Sequence, residues 1–199
     1  MAGKIKLSGK YAKIANKMLF EVTSILENNK IPYVLEAGTL LGIIRENRLL
    51  PWDNDLDITI TRKHASKLLN RRYEFWKKGY RTRIRKFKED RGPLKKGKPR
   101  ILKIQTTKLI FLKDISLMDI FIKKLIDDEY VWTVSDKNPV LKSCPRKFYD
   151  EKIQYQYRNK KYWIPKDYKD YLTYHYGNWH KPVKKWNFRT DDKCKKKIL

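Results

Sequence analysis

Three aspartates stand at alternate positions where the sequence Pro-Trp-Asp-Asn-Asp-Leu-Asp-Ile-Thr-Ile becomes apolar and β-branched. Side chains two positions apart in a β-strand point to the same face, about 7 Å apart, so Asp53, Asp55 and Asp57 should project together. Such a row of like charges is costly unless a cation neutralises it. The pattern therefore predicts a divalent-metal site, although Asp53 is equally suited to capping the turn after Pro51 and Trp52.

Two other segments supply groups that would complete such a site. Asp119 interrupts the apolar run Leu-Met-Asp-Ile-Phe, and a charge at an inward strand position demands a partner, so it is the candidate third carboxylate. Gly38 and Thr39 form a small-residue turn before an apolar helical pattern, and such a turn lets backbone amides approach a phosphate closely. Arg45 follows, and its guanidinium suits either a phosphate oxygen or a structural ion pair.

The predicted elements place these residues on a small sheet flanked by helices. Apolar residues at helical spacing predict a helix over residues 10–29, and a second, short helix opens at Gly38. The stretch 88–100, rich in glycine, proline and charge, is predicted to be a loop. Strands are predicted over 33–36, 55–60, 80–87, 101–106, 116–122, 129–134 and 153–163, and further helices over 62–78 and 165–176.

The composition indicates one folded domain spanning residues 1–199, with a basic, frayed tail from about residue 191. Hydrophobic residues make up 41% of the chain, which argues against global disorder. The net charge of +26 favours an anionic surface or nucleic acid as a partner, unless a lysine-rich proteome explains it. Cys144 and Cys194 lie too far apart in sequence to suggest a disulfide framework or a zinc knuckle.

The chain is expected to be cytoplasmic, with peripheral attachment to a membrane through its lysines as a further option. Its first ten residues contain lysines but no apolar segment typical of a secretory signal. The most apolar region, residues 109–126, is interrupted by five charged residues, so no transmembrane segment is expected.

The segment 38–58 resembles the LicD/fukutin-type phosphotransferases, a branch of the nucleotidyltransferase fold. The similarity lies in the Gly-Thr-Leu-Leu-Gly turn and helix, an arginine, and Pro-Trp-Asp leading into Asp-x-Asp. Met-Asp-Ile-Phe at 118–121 and the stretch 164–182, which contains Tyr-Gly-Asn-Trp-His-Lys-Pro, follow the family in the same order. Three blocks in sequence make this resemblance far more specific than Asp-x-Asp alone.

The resemblance implies an α/β (α+β) fold with a small mixed sheet, flanking helices and a bound Mg²⁺ or Mn²⁺. It also implies transfer of a phospho-alcohol group, such as phosphocholine or ribitol phosphate, from a CDP-linked donor to a glycan or glycoconjugate hydroxyl. Asp55 and Asp57 would then be the principal metal ligands, and Asp119 a ligand, a general base or both. The donor would be contacted by the following residues: Gly38, Thr39, Arg45, Trp179 and His180.

Three departures from the family pattern indicate that the substrate differs from the familiar ones. Asn54 replaces a common aspartate, residues 46–50 replace an aromatic-glycine turn, and Phe121-Ile122-Lys123 replaces a Phe-Pro turn. Two alternatives remain open at this point. One is a nucleotidyltransferase of the same fold that acts on nucleic acid or a small molecule, which the positive charge favours. The other is a nucleic-acid-binding protein with a vestigial site, against which the intact aspartates argue.

Overall fold

The computed structural model describes residues 5–108, 112–135, 139–183, 186–187 and 189–198. The helices in these ranges are α1 (Gly9–Asn28), α2 (Ala37–Glu46), α3 (Ala65–Asn70), α4 (Arg72–Lys77), α5 (Lys147–Asp150) and α6 (Tyr168–Tyr176), with a 3-10 turn at Arg62–His64. The strands are β1 (Val34–Leu35), β2 (Leu56–Thr61), β3 (Arg81–Lys86), β4 (Pro99–Lys108), β5 (Leu112–Ile126), β6 (Glu129–Val134), β7 (Val140–Pro145), β8 (Lys152–Tyr157), β9 (Lys160–Pro165) and β10 (Lys195–Ile198).

A mixed sheet forms the centre of the described structure. Its strands follow the order β1-β2-β5-β6-β7-β10, with β4 also paired to β5 and β3 paired to β4. The β2–β5 pair is parallel, and the other pairs in this sheet are antiparallel. Strands β8 and β9 form a separate hairpin. The prediction of a mixed α/β fold with flanking helices is confirmed.

The core lies between the central strands and the helices that cover them. Helix α1 begins and ends within one residue of its predicted bounds, buries one apolar face and contacts β5. In β2, Leu56, Ile58 and Ile60 are fully buried, so they fix which side of the strand faces the core. Because side chains alternate along a strand, this register directs Asp57 to the opposite side.

Several predicted boundaries are wrong. The helix predicted over 62–78 is divided into the 3-10 turn, α3 and α4, because His64 (φ −97°, ψ 1°) and Arg71 (φ −100°, ψ 13°) depart from α-helical geometry. Pro165 ends β9 instead of starting a helix, and α6 begins at Tyr168. Strand β7 was not predicted, because Lys142 and Ser143 are polar residues that do not suggest a buried strand. In the structure both are buried.

The C-terminal segment is also more ordered than its composition suggests. Asp192 and Cys194 are buried, and the following residues form β10, which pairs antiparallel with β7. In the described structure this part of the basic tail is thus paired with the sheet, while the extent of the domain stays a prediction. No helix in the described ranges is both long enough and apolar enough to cross a membrane.

Candidate active site

The parallel pairing of β2 and β5 places Asp57 directly beside Asp119. Asp55 stands one residue before β2, and its carboxylate lies on the same side. Oxygen atoms of Asp55, Asp57 and Asp119 all lie within 4.8 Å of one another. The structure thus brings together the three residues that the sequence nominates, in a set of carboxylate oxygens of the kind that Mg²⁺ and other hard cations bind.

The electrostatics of this acidic cluster favour a cation. Burial is the main cause that raises the pKa of Asp55 to about 7, and the charges of Asp119 and Asp53 add to it, whereas Lys103 opposes it. Burial likewise raises the pKa of Asp57 well above its usual range, followed by repulsion from Asp55 and Asp119. The ionised forms of Asp55 and Asp57 are therefore disfavoured near neutral pH unless a positive charge lies close to them. A divalent cation supplies that charge, so the donor set fits the metal that the resemblance implies.

Lys103 already provides part of this compensation. It faces Asp119 across the β4–β5 ladder, and its Nζ lies 2.7 and 2.5 Å from the two carboxylate oxygens. These charge-assisted hydrogen bonds fix the orientation of the Asp119 carboxylate. The sequence does not single out Lys103, because a lysine between Leu102 and Ile104 is typical of a solvent-facing strand position.

Asp53 approaches the cluster but is not one of the three residues within 4.8 Å. Its Oδ1 accepts the backbone N–H of the next residue, Asn54, at 2.8 Å, which is a local contact before β2. A Cβ atom at Gly38 would lie only 1.9 Å from Oδ2 of Asp53. Gly38 is therefore the residue that lets this carboxylate sit against the first turn of α2, where the helix dipole stabilises negative charge.

Thr39 has a different position from the one predicted. It is buried, and its hydroxyl accepts the backbone N–H of Asp57 at 2.9 Å instead of facing a donor phosphate. Thr39 thus holds the backbone of β2 that carries the acidic cluster. The residue before Gly38, Ala37, has a φ of 49°, which is uncommon outside glycine. Such strained positions cluster at functional sites, and no sequence pattern marks this one.

A cavity of about 600 Å³ opens above the acidic cluster. The first residues of α2, Ala37 and Gly38, border it, so the positive end of the helix dipole faces the same space. Aromatic side chains form much of the wall: Trp52, Trp132, Tyr176, Trp179 and Trp186. Basic side chains also border the cavity: Arg45, Lys103, Lys142 and Lys181. A negative floor below positive and aromatic walls suits a metal-bound, phosphorylated ligand.

The remaining predicted donor contacts differ in position. Arg45 pairs with Glu46 at 2.7 Å and donates to the carbonyl of Trp179 at 3.2 Å, which ties α2 to the segment after α6. Arg45 and Trp179 border the cavity, so both remain candidates for ligand contact. His180 does not line it: the exposed imidazole stacks on Trp179, with 3.8 Å between ring centroids. The prediction that His180 contacts the donor is therefore unsupported.

A buried ion pair stabilises the backbone at the start of α2. Lys123 pairs with Glu36, donates to the hydroxyl of Tyr149 at 2.6 Å and lies 3.3 Å from the ring centroid of Trp132. Glu36 also accepts a hydrogen bond from Thr59. This network links the residue before α2 to both strands of the acidic cluster. It also explains the departure at 121–123, because the lysine there has a buried carboxylate partner.

Comparison with known proteins shows which family and which proteins this chain is similar to. The family described as LicD/FKTN/FKRP, nucleotidyltransferase domain, matches residues 30–197. An uncharacterized protein of Rickettsia prowazekii (strain Madrid E) is 35% identical over 77 residues, which are 39% of this chain and 29% of that protein. The lipopolysaccharide cholinephosphotransferase LicD of Haemophilus influenzae is 36% identical over 47 residues, 24% of this chain and 18% of that one.

These matches span less than a third of the length of either curated relative. Among solved structures, ANT(2")-Ia in complex with adenylyl-2"-tobramycin aligns with a TM-score of 0.44 and 10% sequence identity, over 78% of this chain and 75% of that one.

Proposed function

Since the chain belongs to the LicD/FKTN/FKRP family of nucleotidyltransferase domains, we propose that it is a metal-dependent phosphotransferase of the LicD type. In this proposal it moves a phospho-alcohol group, phosphocholine-like or ribitol-phosphate-like, from a CDP-linked donor to a glycan hydroxyl. The observation that supports it best is the convergence of Asp55, Asp57 and Asp119 at the floor of a cavity that also receives the start of α2.

Each part of the cavity has a role in this proposal. Asp55, Asp57 and Asp119 would hold Mg²⁺ or Mn²⁺, which when bound neutralises charge on the transferring phosphoryl group and aligns the reacting oxygens. Backbone amides at the start of α2 would receive the donor phosphates. The aromatic wall offers faces on which the cytosine base or a cationic alcohol head group can stack.

The transfer itself is an in-line displacement. The acceptor hydroxyl attacks the phosphorus that carries the alcohol, the bond from this phosphorus to the bridging oxygen breaks, and CMP leaves with the electron pair. Asp119 would take the hydroxyl proton as general base. The two hydrogen bonds from Lys103 hold the Asp119 carboxylate in one orientation, as this step requires.

One assay separates this proposal from its alternatives. The chain is incubated with Mn²⁺ or Mg²⁺ and a panel of CDP-alcohols and nucleoside triphosphates, and the released products are identified. Release of CMP that requires an acceptor supports phospho-alcohol transfer. Release of pyrophosphate would instead support a nucleotidyltransferase. Neither product, together with tight and salt-sensitive RNA binding, would support a nucleic-acid-binding protein.

Asp57→Asn tests the assignment of the acidic cluster. The substitution keeps the shape of the side chain but removes a charged ligand, so turnover should fall by at least about 100-fold, the upper value for outer-shell partners of a metal. Asp114→Asn is the matched control, since this aspartate also lies on the sheet, in β5, but does not border the cavity. Wild-type turnover in Asp57→Asn with an unchanged circular dichroism spectrum would contradict the assignment.

A further inference from the structure

Two cysteines and a histidine from three separate elements meet in the interior and form a group separate from the acidic cluster. Cys144 lies in β7, His175 in the last turn of α6, and Cys194 directly before β10. All three retain only 0–3% of their exposure. Their potential ligand atoms lie within 4.8 Å of one another. Because no chemistry proposed above uses these residues, their convergence calls for a separate explanation.

The distances match those of a shared metal ion. Nε2 of His175 lies 3.2 Å from Sγ of Cys194 and 3.9 Å from Sγ of Cys144, and Nδ1 lies 3.6 Å from Sγ of Cys194. In a tetrahedral zinc site, bonds of about 2.3 Å to sulfur and 2.0–2.1 Å to nitrogen separate the two ligand atoms by about 3.5 Å. The observed pair of distances brackets this value. Thiols are weak hydrogen-bonding groups, so without a metal the buried imidazole would have poor partners on this side.

The other side of the imidazole carries the support that metal-bound histidines usually have. Nδ1 of His175 lies 3.2 Å from Oδ1 of Asp192. A carboxylate that accepts the second ring N–H fixes the tautomer and leaves the lone pair of the other nitrogen for the metal. Oδ1 of Asp192 also accepts the backbone N–H of Cys194 at 2.9 Å, so the same carboxylate orients two of the three groups.

The charges of this region also balance around a divalent cation. Asp192 pairs with the buried Lys142 as well as with His175, so its carboxylate keeps a counter-ion when the imidazole is neutral. Two thiolates and one Zn²⁺ carry no net charge, which avoids the cost of an isolated charge in the interior. His175 and Asp192 also border the cavity.

From these observations we propose that Cys144, His175 and Cys194 bind Zn²⁺. Nitrogen and sulfur ligands select zinc over Mg²⁺, which prefers oxygen, so this centre is chemically distinct from the acidic cluster. Its role is structural. It fastens the C-terminal strand β10, which pairs with β7 at the edge of the sheet, to α6 and β7. The end of α6 in turn carries Tyr176, which forms part of the cavity wall.

The first experiment uses the full chain, purified without a metal-affinity tag and without a chelator. We expect one zinc ion per chain by elemental mass spectrometry. After exchange with Co²⁺, we expect the thiolate-to-cobalt charge-transfer absorption that only sulfur ligands produce. A chain without zinc that gives no such absorption and shows two free thiols would overturn the proposal. A disulfide between the two cysteines, detected by intact mass, would overturn it as well.

Variants locate the centre. Cys194→Ser and His175→Gln should each lose the bound zinc, whereas His64→Gln, a histidine in the 3-10 turn outside the cluster, should retain it. Asp57→Asn should keep the charge-transfer absorption, which separates this centre from the proposed active site. Zinc that persists in Cys194→Ser would overturn the ligand assignment. Where a variant does not fold, the wild-type absorption and metal content still decide the question.

Discussion

Replacement of Asp55 by asparagine should stabilise the metal-free protein at alkaline pH, although the residue is a proposed metal ligand. Burial and the neighbouring carboxylates raise the pKa of Asp55 from 3.8 to about 7. In the folded state this carboxyl therefore keeps a proton that the unfolded chain has already released. The free energy of unfolding falls as the pH rises through the window between these two values. The substituted amide would remain neutral throughout, so the variant escapes this loss.

The size of the effect follows from the width of that window. Between pH 5 and pH 8 the loss in the wild type has a ceiling of about 3 kcal/mol, from about 1.36 kcal/mol for each pH unit below 7. The side chain is partly exposed at the cavity floor, and screening by solvent reduces the expected difference to about 2 kcal/mol. For a chain of this length that corresponds to about 5 °C in melting temperature.

The measurement is urea unfolding of the wild type and of Asp55→Asn at pH 5 and pH 8, in buffer without added divalent cation. The advantage of the variant over the wild type should be about 2 kcal/mol larger at pH 8 than at pH 5, because the wild type loses stability across this window and the amide does not. Mg²⁺ or Mn²⁺ at about 100 times its dissociation constant should then stabilise the wild type by about 2.7 kcal/mol, and the variant by much less.

The control is Asp114→Asn, which removes a carboxylate hydrogen-bonded to the hydroxyl of Thr106 on the neighbouring strand. This variant should show no gain at pH 8. If Asp55→Asn is no more stable than the wild type at pH 8, or if its advantage is the same at both pH values, burial and the neighbouring carboxylates do not raise the pKa of Asp55 as described.

Two further predictions concern the scaffold of the site. Gly42→Ala should lower the free energy of unfolding by about 2 kcal/mol, because the new Cβ would lie 2.6 Å from the backbone carbonyl of Arg48. Gly38→Ala should lower stability less and activity more, because only the carboxylate of Asp53 must move. Equal effects of the two variants in urea unfolding and turnover assays would contradict this reasoning. Lys123→Met should lower the free energy of unfolding by about 3–5 kcal/mol, because it leaves the buried carboxylate of Glu36 without its partner. Adding Glu36→Gln should recover part of that loss. A double variant less stable than Lys123→Met would refute the pairing.

The parts of the site that the sequence predicts are those that depend on local pattern. Asp55 and Asp57 alternate with buried aliphatic residues, and the strand period alone puts their carboxylates on one side. Asp119 is marked by its position inside an apolar run. The parallel pairing that sets Asp57 beside Asp119 does not follow from the period, but the family resemblance supplies the expectation that these blocks converge.

The parts that the sequence misses depend on pairing between distant positions. Lys123 and Glu36 are 87 positions apart, and each alone is typical of the surface. His175 is separated from Cys144 by 31 positions and from Cys194 by 19, so the spacing of a zinc knuckle is absent although the side chains meet. Thr39 in α2 could not be distinguished from a phosphate-binding residue, because its partner is the backbone amide of Asp57 in β2, 18 positions away.

The acidic cluster is a local region of negative charge in a chain of net charge +26. Charges more than about 8 Å away are largely screened at physiological salt, so the many surface lysines do little to repel a cation from the cavity floor. What a cation meets at short range is three carboxylates, of which only Asp119 is paired with a lysine within hydrogen-bonding distance in the described structure. Above them stand Arg45, Lys181 and the start of α2, all of positive sign. A free cation would need only the carboxylates of the floor for binding, and a free anion would need only the positive groups of the wall. Under the proposed function, the two layers together match a cation that is itself bound to phosphate, so a metal–diphosphate ligand would use both parts of the cavity.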